Sequence, residues 1–222
     1  MIRSALVVTA AAALLAGCGG GTGGGKATLW VTRDEGKHLL LVRTVPAGET
    51  AMQALARSTK LSTRYGGRFV ESIDGLAGSA GARHDWFYFV NGIEADRGAA
   101  EYVLHPGDVE WWDYRDWGRV GESVPVVVGA FPEPFVHGYA GTVRPAVVVG
   151  ADTAAARSLA RLVHGKVGVS APPGANVLRL EGGPARFTAR KLPGGAVELV
   201  YSGDAAALAR DPSLYRYRYA VP

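Results

Sequence analysis

Four of the five tryptophans in this 222-residue chain fall between residues 86 and 117, beside Phe87, Tyr88, Phe89 and Tyr114. Flat rings at that density either fill a core or form a stacking surface for a planar ligand, a sugar or a protein partner. Along a strand over 85–90 side chains alternate, so Trp86, Tyr88 and Val90 share one face while Phe87 and Phe89 share the other. One set is expected to pack on a helix around Leu55. The other either fills the core of a small domain without disulfides or forms an open aromatic platform. Trp86, Tyr88, Asn91, Trp112, Tyr114 and Trp117 are the candidate ligand-binding residues.

Groups suited to covalent chemistry are scarce. No His-Glu-x-x-His, Gly-x-Ser-x-Gly or Ser-x-x-Lys pattern occurs. His84 with Asp85, His105 and His137 could meet a metal or serve acid–base chemistry, but their spacing forms no metal-ligand pattern and each reads better as a surface or loop residue. Asp113 and Asp116 beside Arg115 read as a charged strand edge. The expectation is a protein that is not an enzyme, with no catalytic residues, no metal and no certain cofactor.

The single thiol has a different chemistry. Arg3, an apolar run over 5–15 and Leu15-Ala16-Gly17-Cys18 form the basic, apolar and small-residue parts of a secretory signal. The run is well short of the ~20 residues that span a bilayer. Leu-Ala-Gly-Cys resembles the lipobox of bacterial lipoproteins, in which the cysteine is alkylated by lipid before cleavage. Residues 1–18 are therefore expected to be a lipoprotein signal peptide, with membrane lipid as a partner through Cys18 and a Gly-rich tether over 19–26. The expected location is the extracytoplasmic face of the cell envelope. With one cysteine, no internal disulfide can form.

Hydrophobic residues make up 48% of the chain and charged residues 20%, the balance of a globular protein. The formal charge of +4 is spread without a dense basic window, which argues against nucleic acid as a partner.

Local signals place the rings on elements. Strands over 27–33 and 38–45 are joined by Asp34-Glu35-Gly36-Lys37. Thr50 and Gln53 have the capping-box form at the head of a helix reaching about Thr59, with Met52, Leu55 and Ala56 on its apolar face. Strand-like residues 67–73 and a glycine-rich loop over 75–81 precede the strand over 85–90. Asn91-Gly92 suits a type I′ hairpin turn, because both residues tolerate positive φ. A short turn or 3-10 piece over 101–104 and a type II turn at Pro106-Gly107 lead to the last strand, 108–114.

Four segments then carry a resemblance: Val45-Pro46-Ala47-Gly48-Glu49-Thr50-Ala51-Met52-Gln53-Ala54-Leu55; Val70-Glu71-Ser72-Ile73-Asp74-Gly75; Trp86-Phe87-Tyr88-Phe89-Val90-Asn91-Gly92; and Tyr102-Val103-Leu104 with Pro106-Gly107-Asp108. In that order they resemble the transcobalamin C-terminal-like family of bacterial surface domains, soluble-ligand-binding β-grasp folds often known only as domains of unknown function. Trp111-Trp112-Asp113-Tyr114 and Trp117 also fit. The resemblance covers 27–117 and implies an extracytoplasmic ligand-binding or surface module, with cobalamin or a related corrinoid as a ligand class. In transcobalamins this domain covers one face of cobalamin and a large helical domain holds the other; no stretch here could form that helical part. The chain departs from the pattern at Glu110, where an aliphatic residue often stands. The register of the last strand is therefore open, since a one-residue slip exchanges its faces.

Residues 118–222 have another rhythm. Strands are expected over 124–129, 146–150, 176–180, 185–192, 196–202 and 215–221, with helices from Asp152 or Thr153 to Val163 and over 205–210. Leu159, Leu162 and Val163 form the apolar stripe of the first helix, and Gly165 lies where a C′ residue belongs. The junction over 149–153 lacks the glycine fingerprint of a nucleotide site and reads as a plain strand-to-helix turn. The expected fold class is α+β, a β-grasp-like N-terminal domain followed by a smaller α+β (or α/β) region of unknown function over 118–222. The expected function is a membrane-tethered, ligand-binding lipoprotein that presents a small planar ligand to an envelope transporter. The alternative is a structural or interaction lipoprotein that docks a surface protein and has no small-molecule ligand.

Overall fold

The first strand is buried on both of its faces, Leu29 and Val31 on one and Trp30 and Thr32 on the other, so a layer covers each side. The structure, a computed structural model, describes residues 24–151 and 153–222. The expected signal segment, Cys18 and most of the expected tether lie outside the described residues.

Nine elements and one helical turn make the first unit: β1 (Lys26–Arg33), β2 (His38–Pro46), α1 (Ala51–Ser58), β3 (Leu61–Arg64), β4 (Phe69–Ile73), β5 (Leu76–Ala77), β6 (His84–Val90), β7 (Ile93–Glu94), β8 (Val109–Asp116) and the turn α2 (Trp117–Val120). The main sheet has the order β2-β1-β8-β6-β7. Its central pair β1–β8 is parallel and the other pairs are antiparallel. A parallel central pair with α1 crossing between β2 and the later strands is the β-grasp arrangement. Ala27, Leu29 and Val31 face α1, while Trp30 faces the opposite side.

The helix starts as its sequence dictates. Thr50 Oγ1 accepts from the Gln53 N–H and Gln53 Oε1 accepts from the Thr50 N–H. Its buried side is Ala51, Met52, Ala54 and Leu55, so Met52 and Leu55 face inward as expected, whereas Ala56 points outward and Ala51 and Ala54 complete the stripe. β3, which the sequence left without a strand, pairs with β4 as a hairpin. Asn91 and Gly92 both have positive φ and join β6 to β7, and the Asp108 N–H closes on the His105 carbonyl around Pro106-Gly107.

The second unit is a five-stranded sheet in the order β10-β9-β11-β13-β12. Its strands are β9 (Ala146–Val149), β10 (Lys166–Gly168), β11 (Asn176–Glu181), β12 (Arg186–Lys191) and β13 (Val197–Ser202). Only the β12–β13 pair is antiparallel. β9 is buried at every residue, the pattern of a strand covered on both faces. The helices α3 (Ala154–Leu162) and α4 (Ala205–Arg210) cover one face. Thr153 caps α3, its Oγ1 accepting from the Ala156 N–H, and Leu159 and Val163 are buried. The left-handed residue after α3 is His164, not Gly165; a Cβ on Gly165 would stand 2.5 Å from the Ala146 carbonyl oxygen, so close approach explains that glycine.

Two expected strands are something else. Residues 124–129 form an extended wedge between the units, with one bridge, Val126 to Ile93. Their alternation serves two cores: Val126 and Val128 enter the second, and Val127 packs on the outer face of the first sheet. Residues 215–221 form an irregular strap that crosses both units. Tyr217 and Tyr219 lie on the first sheet, and Val221 exchanges two backbone hydrogen bonds with Phe187 of β12 at 2.8 and 2.7 Å. The strap runs so close to Gly36 and Gly129 that a Cβ on either would meet its backbone at 1.5 or 2.4 Å.

Candidate functional site

Cross-strand pairing fixes the aromatic face. Tyr88 stands opposite Trp112 and Trp86 opposite Tyr114 on β6 and β8. Directly opposed rings on one sheet face are close enough to stack. The Tyr88 and Trp112 rings do so, with centroids 4.9 Å apart and planes inclined by 19°. Above them opens a cleft of about 280 Å³, walled by Met52 of α1, Phe69 and Val70 of β4, Trp86, and Gly98 and Ala99 of the following loop. Its polar rim consists of Arg68 and Glu94.

The ring N–H groups are already committed. Trp86 Nε1 donates to the Leu76 carbonyl at 2.9 Å, Trp112 Nε1 donates to Glu110 Oε1 at 2.6 Å, and the Tyr88 hydroxyl donates to the Arg97 carbonyl. Glu94 is occupied too, by Arg115, Ser123 and the Val124 N–H. What the cleft offers a ligand is ring and methyl surface, with Arg68 at the edge. That is a surface for apolar burial.

Glu110 lies beneath these rings. The register places it opposite Val90, on the α1 side of the sheet, wholly buried, and its Oε2 has no hydrogen-bond partner among the described residues. Burial pushes its carboxyl up to about 8, opposed by the Trp112 bond and reinforced by Asp108. At neutral pH it is mainly a neutral acid.

Three of the six sequence candidates, Trp86, Tyr88 and Trp112, meet at the cleft. The other three do not line it. Asn91 is fully buried and spends its amide internally, donating to Asp108 Oδ1 and the Gly138 carbonyl and accepting from the Val109 N–H. It is a corner of the fold, not a ligand contact. Tyr114 is half-buried beside His84 and Trp86 and donates to the Ala77 carbonyl. Trp117 opens the turn α2. Met52, Arg68, Phe69 and Val70 were not singled out by sequence, although the capping box and the strand pattern over 67–73 placed their elements.

No open platform exists on the Phe87–Phe89 side. Phe89 and Trp111 are fully buried under Val127, Ala130 and the strap tyrosines. Nor is Asp113 with Arg115 a charged edge, because both are fully buried. Asp113 accepts from Thr32 Oγ1, the Glu35 and Gly36 N–H groups and Tyr219. Burial raises its carboxyl to about 6 against those bonds. The Arg115 guanidinium lies 3.7 Å above the centre of the Phe87 ring and donates to Glu94.

Residues 48–116 match the family described as a domain of unknown function, DUF4430. They span α1 through β8, so the DUF4430 match contains the rings of the cleft and Glu110. No curated protein matches the chain. Among solved structures, haptocorrin in complex with Cbi is similar at 18% identity and a TM-score of 0.34, over 41% of this chain and 25% of that one. A proposed metal-binding protein from Ruminococcus gnavus ATCC 29149 is similar at 13% identity and a TM-score of 0.35, over 41% of this chain and 97% of that one. The chain thus spans a quarter of the haptocorrin chain.

Proposed function

We propose that this chain is a lipid-anchored extracytoplasmic protein, without enzymatic activity, whose β-grasp unit binds a small planar ligand in the aromatic cleft. The observation that carries the reading is the stacked Tyr88–Trp112 pair, which forms the floor of an open, apolar cleft with a guanidinium at its rim. A planar ring system with an acidic or carbonyl substituent toward Arg68 fits that chemistry. Magnitude limits the affinity. Burying about 150 Å² of ring at about 25 cal/mol/Å² gives about 4 kcal/mol, which alone corresponds to a Kd of about 1 mM. Tighter binding needs contacts beyond the cleft. A corrinoid, the ligand class implied by the transcobalamin-like segments, would enter 280 Å³ only by an edge and would need a second surface, such as an envelope transporter. The anchor rests on Leu15-Ala16-Gly17-Cys18.

Titration of the purified chain with cobalamin, cobinamide and simple planar carboxylates, followed by tryptophan fluorescence, tests the reading. Saturable quenching supports it, and flat titrations across the panel refute it. In cells, Cys18→Ser should move the protein out of the membrane fraction; unchanged fractionation refutes the anchor.

One feature favours the alternative, a docking lipoprotein without a small ligand. β2 is an edge strand whose Leu39, Leu40 and Val42 are half-exposed. Under that reading Leu40→Lys abolishes a stoichiometric crosslink in cells, and no ligand quenches the tryptophans.

A further inference from the structure

A second cleft, of about 230 Å³, opens where the two units meet, and the segment 93–98 separates it from the aromatic one. Its chemistry is of another kind. One wall is the end of the second sheet at which the parallel strands β9, β11 and β13 begin. Asn176 is the first residue of β11, Arg144 lies two residues before β9, and Lys191 ends β12 opposite Val197.

Asn176 is 2% exposed, yet its side chain is only half used. The Val197 N–H donates to Oδ1 at 3.0 Å, which fixes the amide orientation, because a backbone N–H can be met only by the oxygen. Nδ2 is left with no hydrogen-bond partner among the described residues, on a residue that lines the cleft. Nδ2 keeps access to the cleft, so an acceptor bound there can be met without breaking an internal bond.

Two cations stand beside it. Arg144 is held by backbone carbonyls, Nη1 donating to Gly174 at 3.3 Å and Nη2 to Gly194 at 2.6 Å. These bonds orient the guanidinium without neutralising it. Neither Arg144 nor Lys191 pairs with a carboxylate among the described residues, whereas Arg179 and Arg190 on the same sheet share Glu198. The one acid in the cleft, Asp96, is occupied by Arg97 and the Tyr139 hydroxyl, each at 2.8 Å. The cleft therefore presents two free positive charges and an amide donor.

We propose that this cleft binds the oxyanion of a small molecule, a carboxylate or phosphate, with Asn176 Nδ2, Arg144 and Lys191 as its donors. The site is independent of the aromatic cleft and stands or falls without it. Isothermal titration of the full chain with inorganic phosphate, and separately with succinate, at constant ionic strength provides the test. Saturable one-site binding to either anion is expected, and the two arms tell phosphate from carboxylate. Asn176→Asp keeps the acceptor for Val197 but replaces the donor with a charge, so it should weaken binding at least about tenfold. Lys191→Gln, at an exposed position, should weaken it by about as much, while Arg186→Gln outside the cleft should change nothing. If Asn176→Asp fails to fold, Lys191→Gln decides. Absence of saturation by both anions, or affinity unchanged in Lys191→Gln, overturns the proposal.

Discussion

Tyr219 donates its hydroxyl to Asp113 Oδ2 at 3.0 Å, joining the strap to the middle of the first sheet across 106 positions of sequence. The acceptor is a fully buried carboxylate, so the bond is charge-assisted and its loss leaves an acceptor underserved. Tyr219→Phe should lower the unfolding free energy by about 1.5–3 kcal/mol in urea. A midpoint equal to that of the parent chain would mean the strap contributes only apolar contact.

Stability should fall as pH rises from about 4 to about 8. Glu110 and Asp113 are raised by burial to about 8 and about 6, from ordinary values of 4.5 and 3.8. Between those limits the folded chain holds protons that the unfolded chain has released, so the slope of stability against pH is negative. Glu110 alone sets a limit of about 1.4 kcal/mol per pH unit. In Glu110→Gln the decline above pH 6 should flatten, and a curve parallel to the parent chain there would contradict a neutral Glu110.

Within the aromatic cleft, Phe69 is the wall residue that can be removed most cheaply, because its ring is already partly exposed. Phe69→Ala should weaken binding of any quenching ligand about tenfold, the worth of one ring contact, with little change in melting temperature. Equal affinity in the two proteins would place the ligand elsewhere.

The capping box gives an internal scale. Thr50→Ala removes the bond to the Gln53 N–H and should cost about 1 kcal/mol without altering ligand affinity, since Thr50 does not line the cleft. A change in quenching constant would show that α1 transmits strain to Met52.

Much of the fold was legible because its signals are local. Thr50 with Gln53, Asn91-Gly92 and Pro106-Gly107 each specify a conformation within four residues, and each conformation is present. What was not legible depends on partners far away in sequence. Alternation over 124–129 and the spaced tyrosines of 215–221 look like strands, but their apolar residues are divided between two cores and gain little pairing. Asp113 and Arg115 look solvent-facing beside Asp116, and only the arrival of Tyr219 and Phe87 makes their burial intelligible. The cleft was half visible: β-alternation put Trp86 and Tyr88 together, whereas Phe69 and Arg68 reach it through a hairpin whose first strand carries no strong pattern.

The strap has a consequence for synthesis. Trp30 sits in the first strand and meets Tyr217 at 4.8 Å, so the outer face of the first sheet cannot close until residues 217–219 have been made. Any product that stops earlier leaves Trp30, Phe89 and Trp111 without the strap's share of their cover, an aromatic patch that favours aggregation and proteolysis. Early stops and frameshifts downstream of β8 should thus be lost from the cell even though every strand of the first sheet is intact, and a ribosome-released fragment ending near residue 117 should aggregate more readily than the full chain.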